Sequence, residues 1–256
     1  MRRANRAAAV CITCLFAAAA WGQPAAPPAC RGTVYLTIDT GSMSQAELIA
    51  ATLNKYQVKA TFFLANEPTV KGDYSLDPGW AAYWKARAAE GHHFGSHTFD
   101  HVYFKAGDTP QGQVRARPQF GALAGRPQSW EAAQVCEQLD RVKARFHELT
   151  GATLSPLWRA PGGYVTANTR KWARACGYAH VGWSAAGFLG DELPSESYPN
   201  QALLKRALAG IKDGEVLMMH TGIHSRKDAF APMLDPLIDG LKKRGLCFGL
   251  VPDAGY

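Results

Sequence analysis

The sequence predicts a single-domain α/β protein built as a parallel barrel. The chain has 256 residues, of which 47% are hydrophobic and 19% charged, so it can bury one large core. Short apolar segments rich in β-forming residues alternate with amphipathic helical segments, a pattern typical of parallel strands joined by right-handed crossovers. Seven such units without an internal repeat favour a barrel over two halves. The composition excludes a disordered chain, a coiled coil and a collagen-like fibre.

The predicted strands are short and are bounded by turn-forming residues. They cover residues 33–38, 59–64, 92–95, 157–160, 178–183, 215–219 and 246–250. Closure of the barrel would set the first strand beside the last and bring Cys30 and Cys247 to the same rim. The segment 102–129 is rich in Gly, Pro, Gln and Arg and is too long for a plain connection, so we interpret it as a rim or binding loop.

Four helices have recognisable sequence signals. The capping-box sequence S-Q-A-E at residues 44–47 opens a helix that runs through Tyr56. A second helix starts at Ala132 and is ended by Gly151, a third is capped by Asn200, and a fourth ends before Gly245. The apolar face of the second helix consists of Val135, Leu139, Val142, Phe146 and Leu149. That of the third consists of Leu204, Leu208 and Ile211, and that of the fourth of Leu234, Leu237, Ile238 and Leu241.

The first 22 residues resemble a secretory signal peptide. Basic residues at positions 2, 3 and 6 precede an apolar segment, and Ala20-Trp21-Gly22 forms a small-x-small cleavage site. The alternative is an N-terminal membrane anchor, for which the apolar segment is short. We therefore expect an exported protein, periplasmic or secreted, without stable membrane insertion after cleavage. A coil at residues 23–32 would precede the barrel domain at residues 33–252.

Export changes how the charge and the cysteines are interpreted. Three of the 28 Lys and Arg residues lie in the predicted signal, so the net charge of +7 falls to about +4 on cleavage. No run of basic residues remains to indicate a nucleic-acid partner. In an oxidising compartment the four remaining cysteines allow two disulfides, although four separate buried thiols fit the sequence equally well. These cysteines are Cys30, Cys136, Cys176 and Cys247.

Polar side chains fall at the ends of several predicted strands. Asp39 follows the first strand, His97 and His101 follow the third, Arg159 lies at the end of the fourth, and His220 follows the sixth. In a parallel α/β barrel these strand ends open on one face, where active sites are built. We therefore expect the five side chains to meet at one pocket, which scattered core or surface residues would not do.

Each of these residues has a chemical and a purely structural interpretation. His97 and His101 are four residues apart, one helical turn, so both can face one divalent ion; two surface histidines are the alternative. Asp39 is a candidate base or else a cap or turn residue. Arg159 would fix and ionise this carboxylate or form a surface ion pair. His220 is a candidate general acid or a core histidine.

Together these motifs resemble those of the polysaccharide deacetylase family, the NodB-homology domain of carbohydrate esterase family 4. The resemblance covers about residues 34–251. It rests on four motifs that occur in family order: T-I-D-T-G at 37–41, H-T-F-D-H at 97–101, R-A-P-G-G at 159–163 and L-M-M-H at 217–220. Trp183-Ser184, at a strand end, lies between the last two motifs. It implies a distorted (β/α)7-type barrel and removal of N-acetyl groups from peptidoglycan, chitin-like polymers or exopolysaccharide.

The resemblance also implies a role for each matching residue. Asp39 would be the catalytic base, Arg159 its tether, and His220 the catalytic acid. His97 and His101 would bind a divalent metal, with Zn²⁺ expected first and Co²⁺, Ni²⁺ or Mn²⁺ as alternatives. The Tyr164 backbone N–H would help bind the oxyanion, and Trp183 and Leu217 would surround the acetyl methyl group. The full set of expected substrate contacts is Tyr164, Trp183, Leu217, Gly162 and Gly163.

Three positions depart from the family pattern. Thr40 stands where the family has a third metal ligand, an Asp, and a hydroxyl is a weaker ligand for a hard divalent ion. The acidic residues that normally support the Arg are replaced by Ala185-Ala186-Gly187, with Asp191 displaced, and Thr221 stands where an Asp is common. Two alternatives therefore accompany the deacetylase: an inactive glycan-binding relative, and another C–N hydrolase acting on a formamide or cyclic amide.

The retained residues favour the enzyme among these alternatives. Asp39, Arg159 and His220 are all present, and binding alone would not require a base, its tether and an acid together.

Overall fold

The computed structural model describes residues 30–253, so the predicted signal peptide and most of the predicted coil lie outside the described residues. Within that range the strands are β1 Gly32–Asp39, β2 Thr61–Leu64, β3 His93–Ser96, β4 Val102–Tyr103, β5 Val114–Pro118, β6 Gln128–Trp130, β7 Leu157–Trp158, β8 Ala179–His180, β9 Val216–His220 and β10 Leu246–Gly249. The α-helices are α1 Ala46–Tyr56, α2 Ala81–Ala89, α3 Ala132–Thr150, α4 Ala167–Ala175, α5 Asn200–Gly210 and α6 Leu234–Lys243.

Seven parallel strands form one curled sheet, in the order β10-β1-β2-β3-β7-β8 with β9 paired to β1. The first half of β1 pairs with β10 and its second half with β2, while β9 pairs along residues 35–39. Beyond β8, Phe188 forms an isolated parallel bridge to Met218 of β9, which brings the chain back to the far side of the sheet. All seven predicted barrel strands are present, and the predicted distorted barrel is confirmed.

The core lies between the curled sheet and its helices. β2 is buried throughout and β1 is buried along its second half, as expected for parallel strands covered by helices. The apolar faces predicted for α3 and α6 are entirely buried, and each Leu or Ile contributes roughly 2 kcal/mol by leaving water. In α5, Leu204 is buried and Leu208 only partly so. No helix within the described range is both long and apolar enough to cross a membrane.

Two predicted helix caps are wrong. α1 begins at Ala46 without a side-chain cap, because the Ser44 hydroxyl pairs with that of Ser42 instead. α5 begins at Asn200, whose side chain donates to the carbonyl of Ala229 and accepts from Arg226. Both polar side chains are thus used to fix loops. The helices α2 and α4 were not predicted.

Residues 102–129, interpreted from the sequence as a rim or binding loop, contribute to a small antiparallel sheet. β5 pairs with β4 on one side and with β6 on the other. Val114 and Ala116 are buried in β5 while Arg115 and Arg117 are exposed, which is the alternation of a strand with one solvated face. The segment therefore presents a basic surface on an ordered scaffold.

Two disulfides cross-link the fold, so the structure decides against four free thiols. Cys30 and Cys247 join the chain just before β1 to β10, with 5.6 Å between their Cα atoms, as barrel closure predicted. Cys136 and Cys176 join α3 to the residue that follows α4.

Candidate active site

A cavity of about 320 Å³ opens at the carboxyl ends of the parallel strands. Asp39 ends β1, His97 follows β3, and His220 ends β9, and all three line this cavity together with His101. Arg159, one residue beyond β7, lies fully buried against Asp39. The convergence that the sequence predicted is therefore present, and it follows from the parallel arrangement of the strands.

Asp39 and Arg159 form a buried ion pair beneath the cavity. Arg159 Nη1 donates to Asp39 Oδ1 at 2.8 Å, while Nε and Nη2 donate to the carbonyls of Val181 and Gly182 at 3.1 and 2.9 Å. Burial alone would raise the pKa of Asp39, but the charge of Arg159, with that of His220, outweighs burial and holds this pKa below its ordinary value. Asp39 is therefore ionised at neutral pH.

His97 presents an unprotonated nitrogen to Asp39. Its Nδ1 lies 2.9 Å from the carbonyl oxygen of Arg159, which can only accept, so Nδ1 carries the proton. Its Nε2 lies 3.7 Å from Asp39 Oδ2. Burial lowers the pKa of His97 to about 4, so the ring is neutral at neutral pH.

His101 lies beside His97 on a turn that is not helical, although the spacing of the two histidines equals one helical turn. The two ring centroids are 5.0 Å apart. Thr98 and His101 have φ angles of 60° and 48°, a left-handed conformation that is uncommon for such residues and concentrates at functional sites. Burial lowers the pKa of His101 to about 4. Asp100 points out of the cavity and bonds Gln138 and Arg141.

His220 is held by a carboxylate from another loop. Its backbone N–H donates to Asp191 Oδ2 at 2.6 Å, and its Nδ1 lies 3.1 Å from Asp191 Oδ1. Nε2 remains 3.8 Å from the carboxylate of Glu192. Burial opposes protonation, but the charges of Asp191, Asp39 and Glu192 outweigh it and raise the pKa of His220 to about 10. In the sequence, Asp191 was visible only as a displaced acidic residue, and Glu192 was not singled out.

Thr40 and Glu67 form a second polar pair in the wall of the cavity. The Thr40 hydroxyl accepts from the Ala65 N–H at 2.9 Å and donates to Glu67 Oε1 at 2.6 Å. Glu67 lines the same cavity as the two histidines. Sequence analysis missed Glu67, although its place three residues beyond the end of β2 puts it at the same edge of the sheet as the other polar residues.

Some of the residues expected to contact the substrate line the cavity and others do not. Trp183 and Gly162 line the cavity, and Gly163 packs so closely that a Cβ there would lie 2.5 Å from the Trp183 ring. Leu217 is buried in the core, and Met218, on the opposite face of β9, lines the cavity in its place. The Tyr164 side chain is half exposed and is not among the lining residues.

The donor chemistry of the cavity fits a divalent metal ion. His97 Nε2 and Asp39 Oδ2 both accept hydrogen bonds, so a positive centre or a donor must satisfy them across their 3.7 Å separation. Neutral imidazoles and carboxylates are the usual nitrogen and oxygen ligands of Zn²⁺. Among residues 30–253, no three His, Cys, Asp or Glu side chains are placed so that together they could hold a metal ion. The cavity thus has donors of the right chemistry for a divalent ion without a three-residue ligand group among the described residues.

Comparisons with known proteins support this fold and show which family the chain resembles. The polysaccharide deacetylase family model matches residues 26–181. Peptidoglycan-N-acetylmuramic acid deacetylase PdaA of Bacillus subtilis is 27% identical over 225 residues, 86% of this chain and 70% of that protein.

Two solved structures share the fold. A family 4 carbohydrate esterase from Streptomyces lividans in complex with acetate has a TM-score of 0.63 at 20% identity, covering 88% of this chain and 95% of that one. A family 4 pseudoenzyme from Bacillus anthracis has a TM-score of 0.62 at 19% identity, covering 88% and 65%.

Proposed function

The chain belongs to the polysaccharide deacetylase family, and on that premise we propose that it is an exported hydrolase removing N-acetyl groups from the amino sugars of peptidoglycan. One observation carries this proposal: Asp39 is paired with Arg159, and His220 with Asp191, at a single cavity. The first pair keeps a carboxylate ionised and the second keeps an imidazole protonated. Amide hydrolysis needs such a base and such an acid.

The two pairs suggest how protons move during the reaction. Arg159 holds Asp39 Oδ1, so Oδ2 is the oxygen that takes a proton from the attacking water. Asp191 holds His220 Nδ1, so Nε2 is the nitrogen that gives a proton to the leaving amine. Water adds to the carbonyl carbon, the C–N bond breaks, and acetate and the free amine leave. Trp183 and Met218 supply the apolar wall beside the acetyl methyl group.

His97 and His101 are the residues that would hold the divalent ion. When bound, such an ion would act as a Lewis acid that polarises the amide carbonyl. The Arg159 carbonyl fixes the orientation of the His97 ring, an outer contact of the kind that metal-binding histidines use.

A second, basic cavity supports an acidic polymer as the substrate. It has a volume of about 570 Å³ and shares Tyr103, Lys105 and Gln119 with the first cavity. Lys105, Arg115 and Arg117 give it positive charge. Peptidoglycan carries carboxylates on its peptides, whereas chitin-like chains are neutral, so the charge favours peptidoglycan.

Acetate release tests the proposal. The mature protein is incubated with peptidoglycan and with N-acetylglucosamine oligomers, with chelator and then with added Zn²⁺ or Co²⁺. We expect metal-stimulated release that falls at least about 100-fold in Asp39→Asn, because a positioned base contributes this much. Asp235→Asn, which makes the same change on the surface of α6, serves as the control. No acetate from any substrate, together with saturable glycan binding, would refute the enzyme.

Saturable glycan binding without acetate release is the result expected of the second candidate, an inactive glycan-binding relative. Thr40 in place of a carboxylate favours it, and the similarity to a pseudoenzyme of the same family is consistent with it. The intact Asp39–Arg159 and His220–Asp191 pairs favour the hydrolase.

A further inference from the structure

We propose that the Glu192 carboxylate binds the amine that deacetylation leaves on the sugar, and so makes the deacetylated glycan a ligand of the site. This inference deepens the proposed function and rests on it for the reaction. Hydrolysis of an acetamide gives an acetate anion and an amine, which is largely protonated near neutral pH. The reacting group is therefore neutral in the substrate and cationic in the product, and a carboxylate beside it distinguishes the two.

Glu192 lies beside the atom that gives a proton to the leaving amine. Its Oε2 is 3.8 Å from His220 Nε2, the ring nitrogen that Asp191 does not hold. Glu192 and His220 both line the cavity at the carboxyl ends of the parallel strands. An amine nitrogen within hydrogen-bond distance of Nε2, about 3 Å, can therefore also reach the Glu192 carboxylate.

The Glu192 carboxylate has room to take a ligand. Within residues 30–253 its side chain accepts no hydrogen bond, and its only ion pair is the long approach to His220. The side chain is 46% exposed, so it can turn towards a ligand in the cavity without disturbing the core.

Two other carboxylates of the site are already engaged. Asp39 Oδ1 accepts from Arg159 Nη1 at 2.8 Å. Asp191 accepts from the backbone N–H of His220 at 2.6 Å and faces the ring of the same residue, and its side chain is only 5% exposed. Both acids are thus committed to the groups that move protons, whereas Glu192 is not.

Two further ionisable groups line the cavity, and each has a partner of its own. Glu67 Oε1 accepts from the Thr40 hydroxyl at 2.6 Å. Lys105 Nζ lies 4.5 Å from the centre of the Tyr103 ring and forms no ion pair with Glu192 at 4.0 Å or less. The charge of Glu192 is therefore left for a cation that enters with the glycan.

Binding of a glucosamine trimer, measured by calorimetry with Zn²⁺ and again with chelator, tests the assignment. We expect Glu192→Gln to weaken the trimer about 3–10-fold in both conditions, the effect of losing a partly exposed charge contact. Persistence of the loss in chelator separates this contact from any bond between the amine and a metal ion. Glu196→Gln removes a carboxylate of similar exposure, 56%, from the same segment and should leave affinity unchanged.

The N-acetylated trimer is the matched neutral ligand. Its KM in acetate release, or its Kd if no acetate is released, should change less than about twofold in Glu192→Gln, because the acetamide carries no charge. Equal weakening of both trimers, unchanged affinity of folded Glu192→Gln for the glucosamine trimer, or no binding of that trimer by the wild type would each overturn the assignment.

A crystal of the wild type with the glucosamine trimer gives a test that does not depend on variants. We expect an amine nitrogen within about 3.2 Å of a Glu192 oxygen. An amine seated on Asp39, with Glu192 turned to solvent, would overturn the assignment. Selective loss of the amine ligand in Glu192→Gln without acetate release by any form would sustain the amine site and refute the proposed function; acetate release without selective loss would do the reverse.

Discussion

Asp39 and His220 line one cavity but carry opposite charges for local reasons. Asp39 is bound to a guanidinium that also satisfies two carbonyls, so its negative charge is stabilised despite burial. His220 faces Asp191 through both its backbone N–H and its ring, so its positive charge is stabilised. In the proposed function, these environments suit the two groups to opposite proton-transfer roles.

This assignment predicts a pH effect of Asp191→Asn. In the wild type, activity should fall on the alkaline side as His220 loses its proton near its pKa of about 10. Burial disfavours the protonated form of His220, and the negative charge of Asp191 opposes this effect. Without that charge the pKa of His220 falls, so the alkaline limb of the activity profile moves to lower pH. The pH dependence of kcat/KM measures this shift. An unmoved alkaline limb in Asp191→Asn would mean that His220 is not the titrating acid.

Most site residues could be predicted from their position at strand ends, whereas their bonding partners in other loops of the chain could not. Asp39, Arg159 and His220 were found because each lies at the end of a buried strand, where a parallel sheet gathers polar groups. Glu67 was not found, and the contact of Asp191 with His220 was not predicted. These residues bond Thr40 and His220 across 27 and 29 residues, and one sequence does not reveal which loops return to the same cavity.

At the scale of elements, hydrophobic periodicity and the C-terminal glycine Gly151 of α3 were informative, whereas the N-cap signals were not. The faces of α3 and α6 were predicted because burial is set by spacing alone. The caps at Ser44 and Asn200 failed because tertiary partners compete for those side chains. The strand β5 was overlooked although V-R-A-R-P alternates, because its surroundings are rich in Gly and Pro.

The basic face of that small sheet gives a prediction about substrate choice. Arg115→Gln/Arg117→Gln should raise KM for peptidoglycan about 2–10-fold, the effect of losing two exposed charge contacts, and leave KM for neutral N-acetylglucosamine oligomers unchanged. Lys171 and Lys205 are exposed outside this sheet, so the double variant Lys171→Gln/Lys205→Gln removes the same charge from another part of the surface and serves as the control. Equal effects on both substrates would contradict a role in recognising an acidic polymer.

At the scale of the whole molecule, closure of the barrel could be predicted from the sequence, but formation of the two disulfides could not. Alternation of strands and helices fixes a parallel sheet, and closure brings the first and last strands together. Whether cysteines are oxidised depends on the distance between two side chains and on the compartment, which spacing in the sequence does not give.

The two disulfides should differ in their contribution to stability. Cys30–Cys247 spans 217 residues and Cys136–Cys176 spans 40, so chain entropy gives upper limits of about 5 and about 4 kcal/mol. We expect Cys30→Ser/Cys247→Ser to lower the free energy of unfolding more than Cys136→Ser/Cys176→Ser does, as measured by urea denaturation. A larger loss from Cys136→Ser/Cys176→Ser would contradict this order.

The proposed activity is cleavage of an acetamide by the paired charged residues at the carboxyl edge of the sheet. Mass spectrometry of N-acetylated glycan fragments after incubation with the Zn²⁺-supplemented protein tests it most directly, because each cleavage leaves a free amine and one acetate. We expect free-amine products with the wild type and almost none with Asp39→Asn. Fragments that keep every acetyl group with the wild type, or equal conversion by Asp39→Asn, would contradict it.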